Sequence, residues 1–165
     1  ATILLRAGAD KIALNTAAIK QPSLIKDLAH RFGSQSVVLS IEAKQIDENR
    51  WQAYTDNGRE KTNIDVIEWA KKGQFLGAGE ILLTSVDREG TRKGLDINLL
   101  RAVSKVVDIP IIASGGIGRT EHFVQGIKNG GASAIAIADA LHYGRISLDQ
   151  FRSSATKSGI NIRVL

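Results

Sequence analysis

Cysteine and methionine are both absent from the 165 residues. The lack of cysteine excludes a disulfide framework, thiolate catalysis and cysteine-ligated zinc or iron–sulfur sites, and it is compatible with a reducing cytoplasm. With no methionine, the chain opens at Ala1 in helix-forming residues and has no basic, apolar and small-residue signal layout. The start reads as a cut edge, so the sequence is expected to be a fragment. Long apolar runs are missing too. Ile109 to Ala113 and Ala134 to Ala138 span about five residues each, where a membrane helix needs about 20. No membrane span is expected.

Aromatic residues make up only 5% of the chain, with two Tyr, two Trp and four Phe as stacking surfaces. The net charge of +5 is interleaved with acidic neighbours, as in Lys26-Asp27, Arg59-Glu60-Lys61 and Asp87-Arg88-Glu89. Nucleic acid is therefore not an expected partner, and a mildly basic surface suits phosphorylated metabolites. His30, His122 and His142 stand apart, with no i, i+4 pairing and no acidic cluster nearby. They read as helix-surface histidines, and no metal or cofactor is expected.

What is present is an ordinary globular composition, 43% hydrophobic and 24% charged, of a length that fits one domain over residues 1–165. Five short apolar runs recur: Asp10 to Leu14, Val37 to Ile41, Glu80 to Ser85, Ile109 to Ser114 and Ala134 to Ala138. They are apolar at successive positions, the pattern of parallel strands buried on both faces. Helix-period segments alternate with them: Pro22 to Phe32, Ile64 to Leu76, Ile97 to Val107, Thr120 to Asn129 and Ser147 to Ser158. Asp96 and Thr120 are expected N-caps, and Gly130-Gly131 and Gly159 expected helix ends. The longest strand-to-helix interval carries an insertion over residues 47–62. With Trp51, Tyr54 and an Asp56-Asn57-Gly58 turn, it reads as a β-hairpin and a candidate lid.

Parallel βα repeats form either an open doubly wound sheet or an eight-stranded barrel of about 250 residues. No GxGxxG follows the first strand. Small polar residues instead recur at strand carboxyl ends: Asn15-Thr16, Glu42, Thr84-Ser85, Ser114-Gly115-Gly116 and Asp139. One shared ligand mouth at one face is a barrel arrangement. The expected fold is α/β, a partial TIM (β/α)8 barrel of about five units with its first part missing.

The run Ile111 to Gly118 leads a strand into a glycine-rich turn before a helix, a layout in which backbone N–H groups approach an anion closely. Taken with Ala138-Asp139-Ala140 at the next strand end, it points to phosphate binding. A plain tight turn is the simpler alternative. Thr84 to Thr91 gathers hydroxyls and carboxylates that could orient ligand hydroxyls; alternatively Asp87 and Glu89 are loop charges paired with Arg88 or Arg92. Glu42 follows an apolar strand, where partial desolvation raises a carboxyl pKa toward acid–base work, unless it merely pairs with Lys44. Lys11 and Glu80 lie at strand starts, on the opposite face, and read as a stabilising ion pair.

The strings Ala9 to Thr16, Phe32 to Gln35, Gly77 to Ser85 and Ile111 to Gly116 closely resemble the cyclase subunit family of imidazole glycerol phosphate synthase. The resemblance begins at that family's fourth βα unit, so its strands four to eight correspond to this chain. It implies a cytoplasmic enzyme of histidine biosynthesis whose barrel carries ammonia from a glutaminase partner to a phosphorylated ribonucleotide. The products are imidazole glycerol phosphate and an aminoimidazole carboxamide ribotide. By the same resemblance Asn15 and Thr16 hold one substrate phosphate, and Ser114, Gly115, Gly116 and the backbone at Asp139 the other. Thr84, Glu89 and Gly90 line the substrate, Lys11 and Glu80 belong to an ammonia gate, and Asp10 faces the glutaminase.

Two positions depart from the family. Glu42 stands where its catalytic aspartate is expected, and Glu89 where another aspartate is. An added methylene shifts a carboxylate by about 1 Å, a displacement that can cost about 10²-fold in rate. The family's other catalytic aspartate belongs to a strand outside these residues, so the chain alone is expected to be inactive. These departures, with Leu141-His142-Tyr143, also resemble paralogues that serve acetamidino modification of surface sugars. A third possibility is an inactive half-barrel scaffold. Exposed strand edges favour pairing with a second copy, so a homo-oligomer is expected.

Overall fold

The computed structural model describes residues 1–162. A short helix, α1 (Thr2–Arg6), precedes β1 (Ile12–Leu14), α2 (Thr16–Lys20) and α3 (Ser23–Phe32). A long strand, β2 (Val37–Asp47), turns into β3 (Arg50–Thr55) and β4 (Glu60–Asp65) before α4 (Val66–Phe75). Then follow β5 (Glu80–Ser85), α5 (Ile97–Ser104), β6 (Ile111–Ser114), α6 (Thr120–Lys128), β7 (Ala134–Ile135), α7 (Asp139–His142) and α8 (Leu148–Lys157).

All seven strands share one sheet. Its parallel part runs β1-β2-β5-β6-β7, in chain order, while β3 and β4 extend antiparallel from the outer half of β2. Chain order throughout means that the sheet has no switch point, the feature a doubly wound sheet requires. The fold is α/β with a mostly parallel sheet.

Register places residues in rows. Glu42, Thr84 and Ser114 are partners across β2, β5 and β6, and Ser40, Leu82, Ile112 and Ala134 form the row beneath. Side chains alternate along a strand, so both rows face the same side. The opposite side carries Leu39, Ile41, Ala43, Ile81, Leu83 and Ala113, all at most 1% exposed and clustered with Ile25, Trp69, Leu99, Val103 and Phe151 from the helices. Each of the Leu and Ile side chains contributes about 1.5–3 kcal/mol on full burial. The rows on the first side are only half-buried, Leu82 and Ile112 included, and Ala134 at the end of the second row is exposed. This corrects the expectation of strands buried on both faces: the residues are apolar on both sides, but helices cover only one.

Other boundaries shift for local reasons. β6 starts two residues late because Pro110, which has no N–H, precedes it and only its carbonyl joins the ladder, accepting from Ile81. The insertion is a hairpin whose second strand extends to Asp65, so the helix begins at Val66 with Asp65 as N-cap accepting from Ile67 and Glu68. Its turn falls on Asp56, Asn57 and Gly58, all at positive φ. Asp96 caps α5 by accepting from Leu99 at 3.0 Å. Thr120 is not a cap: Arg119 holds that place, and the hydroxyl of Thr120 donates to Glu121 instead. The helix α2 escaped the periodicity reading because five residues complete barely more than one turn.

Candidate functional site

The carboxyl ends of β5, β6 and β7 enclose a cavity of about 120 Å³, lined by Glu89, Gly90, Arg92, Ser114 to Ile117 and Ala136 to Asp139. A water occupies about 30 Å³ of liquid, so this space has the scale of a small oxyanion. Gly115 and Gly116 have φ near +98° and +95°, and a side chain on either would strike the facing loop: at Ser85 O, 2.7 Å away, for Gly115, and at Gly94 O for Gly116. Glycine is thus required twice in succession for the turn to pack here. The Gly94 N–H donates to the Gly116 carbonyl at 2.8 Å, which joins the two walls of the cavity.

At the rim, the Asp139 carboxylate binds two guanidinium groups through one oxygen, with Arg145 Nη1 at 3.1 Å and Arg92 Nε at 3.4 Å. Arg145 also stacks on Tyr143, 4.5 Å from the ring centroid. The cavity therefore meets a carboxylate whose charge is already matched. Neither Asp87 nor Glu89 takes up the arginine pairing considered from sequence: Asp87 accepts the Gln45 N–H at 2.7 Å, and Arg92 belongs to Asp139.

A second cavity of about 190 Å³ lies beside the first and is lined by Glu42, Asn57, Thr84, Val86 and Glu89. Glu89 borders both spaces. The half-buried Glu42 carboxylate accepts the Gly58 N–H of the hairpin turn, while Lys44 lies over the Tyr54 ring at 5.5 Å rather than pairing with Glu42. Asn15 and Thr16 sit on the far side of the mouth. Asn15 Nδ2 donates to Tyr54 O at 3.1 Å, its Oδ1 is buried without a partner among the described residues, and Thr16 Oγ1 accepts from Asp56 N at 3.5 Å. The structure thus brings Glu42, Thr84, Glu89, Gly90, Ser114, Gly115, Gly116 and Asp139 together, and sets Asn15 and Thr16 apart from them, against the hairpin.

Lys11 and Glu80 form an ion pair at the opposite end of the same inner face, with side-chain exposures of 45% and 20%. Thr84 is four steps along the strand from Glu80, about 13 Å. Asp10 is exposed beside them. Three participants escaped the sequence reading. Arg92 and Arg145 join Asp139 through contacts that no local pattern encodes. His122 is the third: it is only 4% exposed, which overturns its reading as a surface histidine, whereas His30 and His142 are exposed. A polar residue on the apolar stripe of α6 was the available signal.

The model of the histidine biosynthesis protein family matches residues 1–147. Over 161 residues the chain is 47% identical to imidazole glycerol phosphate synthase subunit HisF of Hydrogenobaculum sp. (strain Y04AAS1), a match covering 98% of this chain and 64% of that relative. The chain therefore spans a little under two thirds of that protein's length. With the match running through β1 to α7 and both cavities inside it, the chain belongs to the histidine biosynthesis protein family.

Proposed function

We propose that these residues are the wall of a cytoplasmic (β/α)8 barrel, units four to eight of a cyclase subunit that makes imidazole glycerol phosphate from a phosphorylated ribonucleotide and ammonia. The observation that carries this reading is the half-buried row Glu42, Thr84 and Ser114, which leads along one strand end into the glycine cavity. Polar groups at the carboxyl ends of successive strands are where barrels of this kind do chemistry. An inner face apolar in sequence but only half-covered in structure is what an arc of such a wall looks like.

In this reading Gly115, Gly116 and Ser114 bind one phosphate, with the start of α6 adding positive partial charge. Asn15 and Thr16 receive the other once the hairpin turn moves. Thr84, Glu89 and Gly90 line the body of the substrate, and Glu42 moves protons. Ammonia enters past Lys11 and Glu80 from a glutaminase that docks near Asp10. The chain by itself binds substrate and does not turn it over. Paired copies cover each other's inner faces.

A second reading is supported by Glu42, whose longer side chain ends on the Gly58 N–H. A carboxylate held there suits a barrel that conducts ammonia for another acceptor, as in acetamidino transfer to sugars.

Calorimetry with the ribonucleotide, together with product assays under saturating ammonium, tests both readings. Binding without product is expected. Saturable product formation refutes the inactivity of the chain, and either no binding or binding that does not depend on Gly116 removes the substrate site.

A further inference from the structure

We propose that His122 is a positioning residue for anion binding: as a neutral imidazole it holds the Gly116–Gly118 backbone and the facing Gly94 loop in the shape that receives an oxyanion. The proposal rests on the reading of the glycine cavity as a phosphate site.

Two contacts meet at this ring, and a third carries them to the cavity. The Gly118 N–H donates to Nδ1 at 3.2 Å. The ring packs on Gly94, where φ is +99° and a methyl group would stand 3.3 Å from Cδ2, so the ring occupies the space a side chain there would need. Gly94 in turn donates to the Gly116 carbonyl. One side chain thereby fixes the end of one cavity wall and braces the other.

Only the neutral ring can do this, because an imidazolium has no lone pair to accept from Gly118. Burial holds the pKa below the usual 6.5, the neighbouring Arg119 lowers it further, and Glu121 opposes both. Arg119 Nη2 lies 3.4 Å from Nε2. On the other face the packed loop brings Gly94, preceded by the cationic Arg92 and Lys93. Protonation would set two donors face to face at Nδ1, among positive charges. An added charge alone would strengthen anion binding, whereas loss of the Gly118 bond weakens it. The sign of the pH effect separates positioning from electrostatics.

Sulfate is the probe, since it stays a dianion across the range in which a phosphate ester gains a proton, near pH 6. Its affinity is read from the Gly115 and Gly116 amide resonances of the full chain. Lowering the pH from about 7.5 to about 5 is expected to weaken sulfate roughly tenfold, the equivalent of one lost hydrogen bond. His122→Phe is expected to bind weakly at every pH, and His122→Asn, whose Oδ1 takes the place of Nδ1, to recover most of the affinity without the pH dependence. Without anion, the Gly118 amide should follow the imidazole titration. Sulfate binding at Gly115 and Gly116 that stays constant or tightens on acidification overturns the proposal and leaves the phosphate reading standing. A Gly118 amide that titrates with His122 while sulfate moves neither glycine overturns the phosphate reading, and the proposal falls with it. The wild-type profile decides the matter even if a variant does not fold.

Discussion

Glu42 and Gly58, sixteen residues apart, are joined by a hydrogen bond from the backbone of the hairpin turn to the carboxylate at the end of β2. The hairpin is therefore pinned over the mouth by the same side chain that the family resemblance assigns to catalysis. A hydrogen bond to a charged group contributes about 1.5–3 kcal/mol. Glu42→Ala is expected to lower the urea midpoint by a corresponding amount. Glu42→Gln keeps an acceptor oxygen and should lose less than half as much, yet it cannot transfer a proton. In a complete barrel, Gln at this position should leave stability nearly intact and depress kcat; equal losses in both would place Glu42 in structure alone.

The glycine cavity makes its own prediction. Gly116→Ala combines a left-handed φ, which costs about 1–2 kcal/mol for other residues, with collision against Gly94 O, a backbone atom that cannot swing aside. Gly159 also has a left-handed φ, +68°, but open space around it. Gly159→Ala should thus show the conformational cost alone. Calorimetric Tm values should fall further for Gly116→Ala than for Gly159→Ala, and only the former should abolish sulfate binding.

Asp96 serves two elements at once. Oδ1 caps α5 through Leu99, and Oδ2 accepts the indole N–H of the buried Trp51 at 3.0 Å. Removing the cap costs about 1 kcal/mol. Leaving the indole donor buried and unpaired adds about 1–3 kcal/mol. Asp96→Ala is expected to cost the sum, and Trp51→Phe should relieve the second part. A double-mutant cycle should then show a coupling of about 1 kcal/mol or more between the two sites. Additive effects would mean that the hairpin and α5 are independent.

Much of this geometry was legible in the chain. The β5 run Glu80 to Ser85 and the turn at Asp56 to Gly58 were readable because each has a local cause: an uninterrupted apolar run, and residues that tolerate positive φ. The gathering of strand-end polar residues was also readable, since parallel strands in chain order bring their carboxyl ends to one edge. What stayed hidden depends on partners distant in sequence. Asp139 was expected to serve through its backbone, but its side chain is held by Arg92 from a loop two strands away. Asn15 and Thr16, which the resemblance assigns to a second phosphate, also meet the hairpin, a contact that no local pattern encodes. His122 reads as a solvent-facing residue from its type although it lies on the apolar stripe of α6, and what the sequence does not reveal is that Gly94 leaves a space for its ring.

The buried His122 also ties stability to pH. Its folded-state pKa lies below the 6.5 of the unfolded chain, so between those two values the unfolded state binds the proton more readily. Stability therefore rises with pH across that window. The contribution of the neutral ring is complete above about pH 6.5 and is lost progressively as pH falls through the lower folded-state value. Acidic unfolding also reflects the overall charge of the chain, so a raw acid-denaturation curve mixes several groups. Subtracting the His122→Asn variant removes this mixing, because every other group is common to both proteins. The difference in unfolding free energy between wild type and variant should shift against the wild type as pH drops from about 7 to about 5. A difference that stays flat over that interval would mean that the ring does not need to be neutral in the folded protein, and the Gly118 bond would then have to be made by other means.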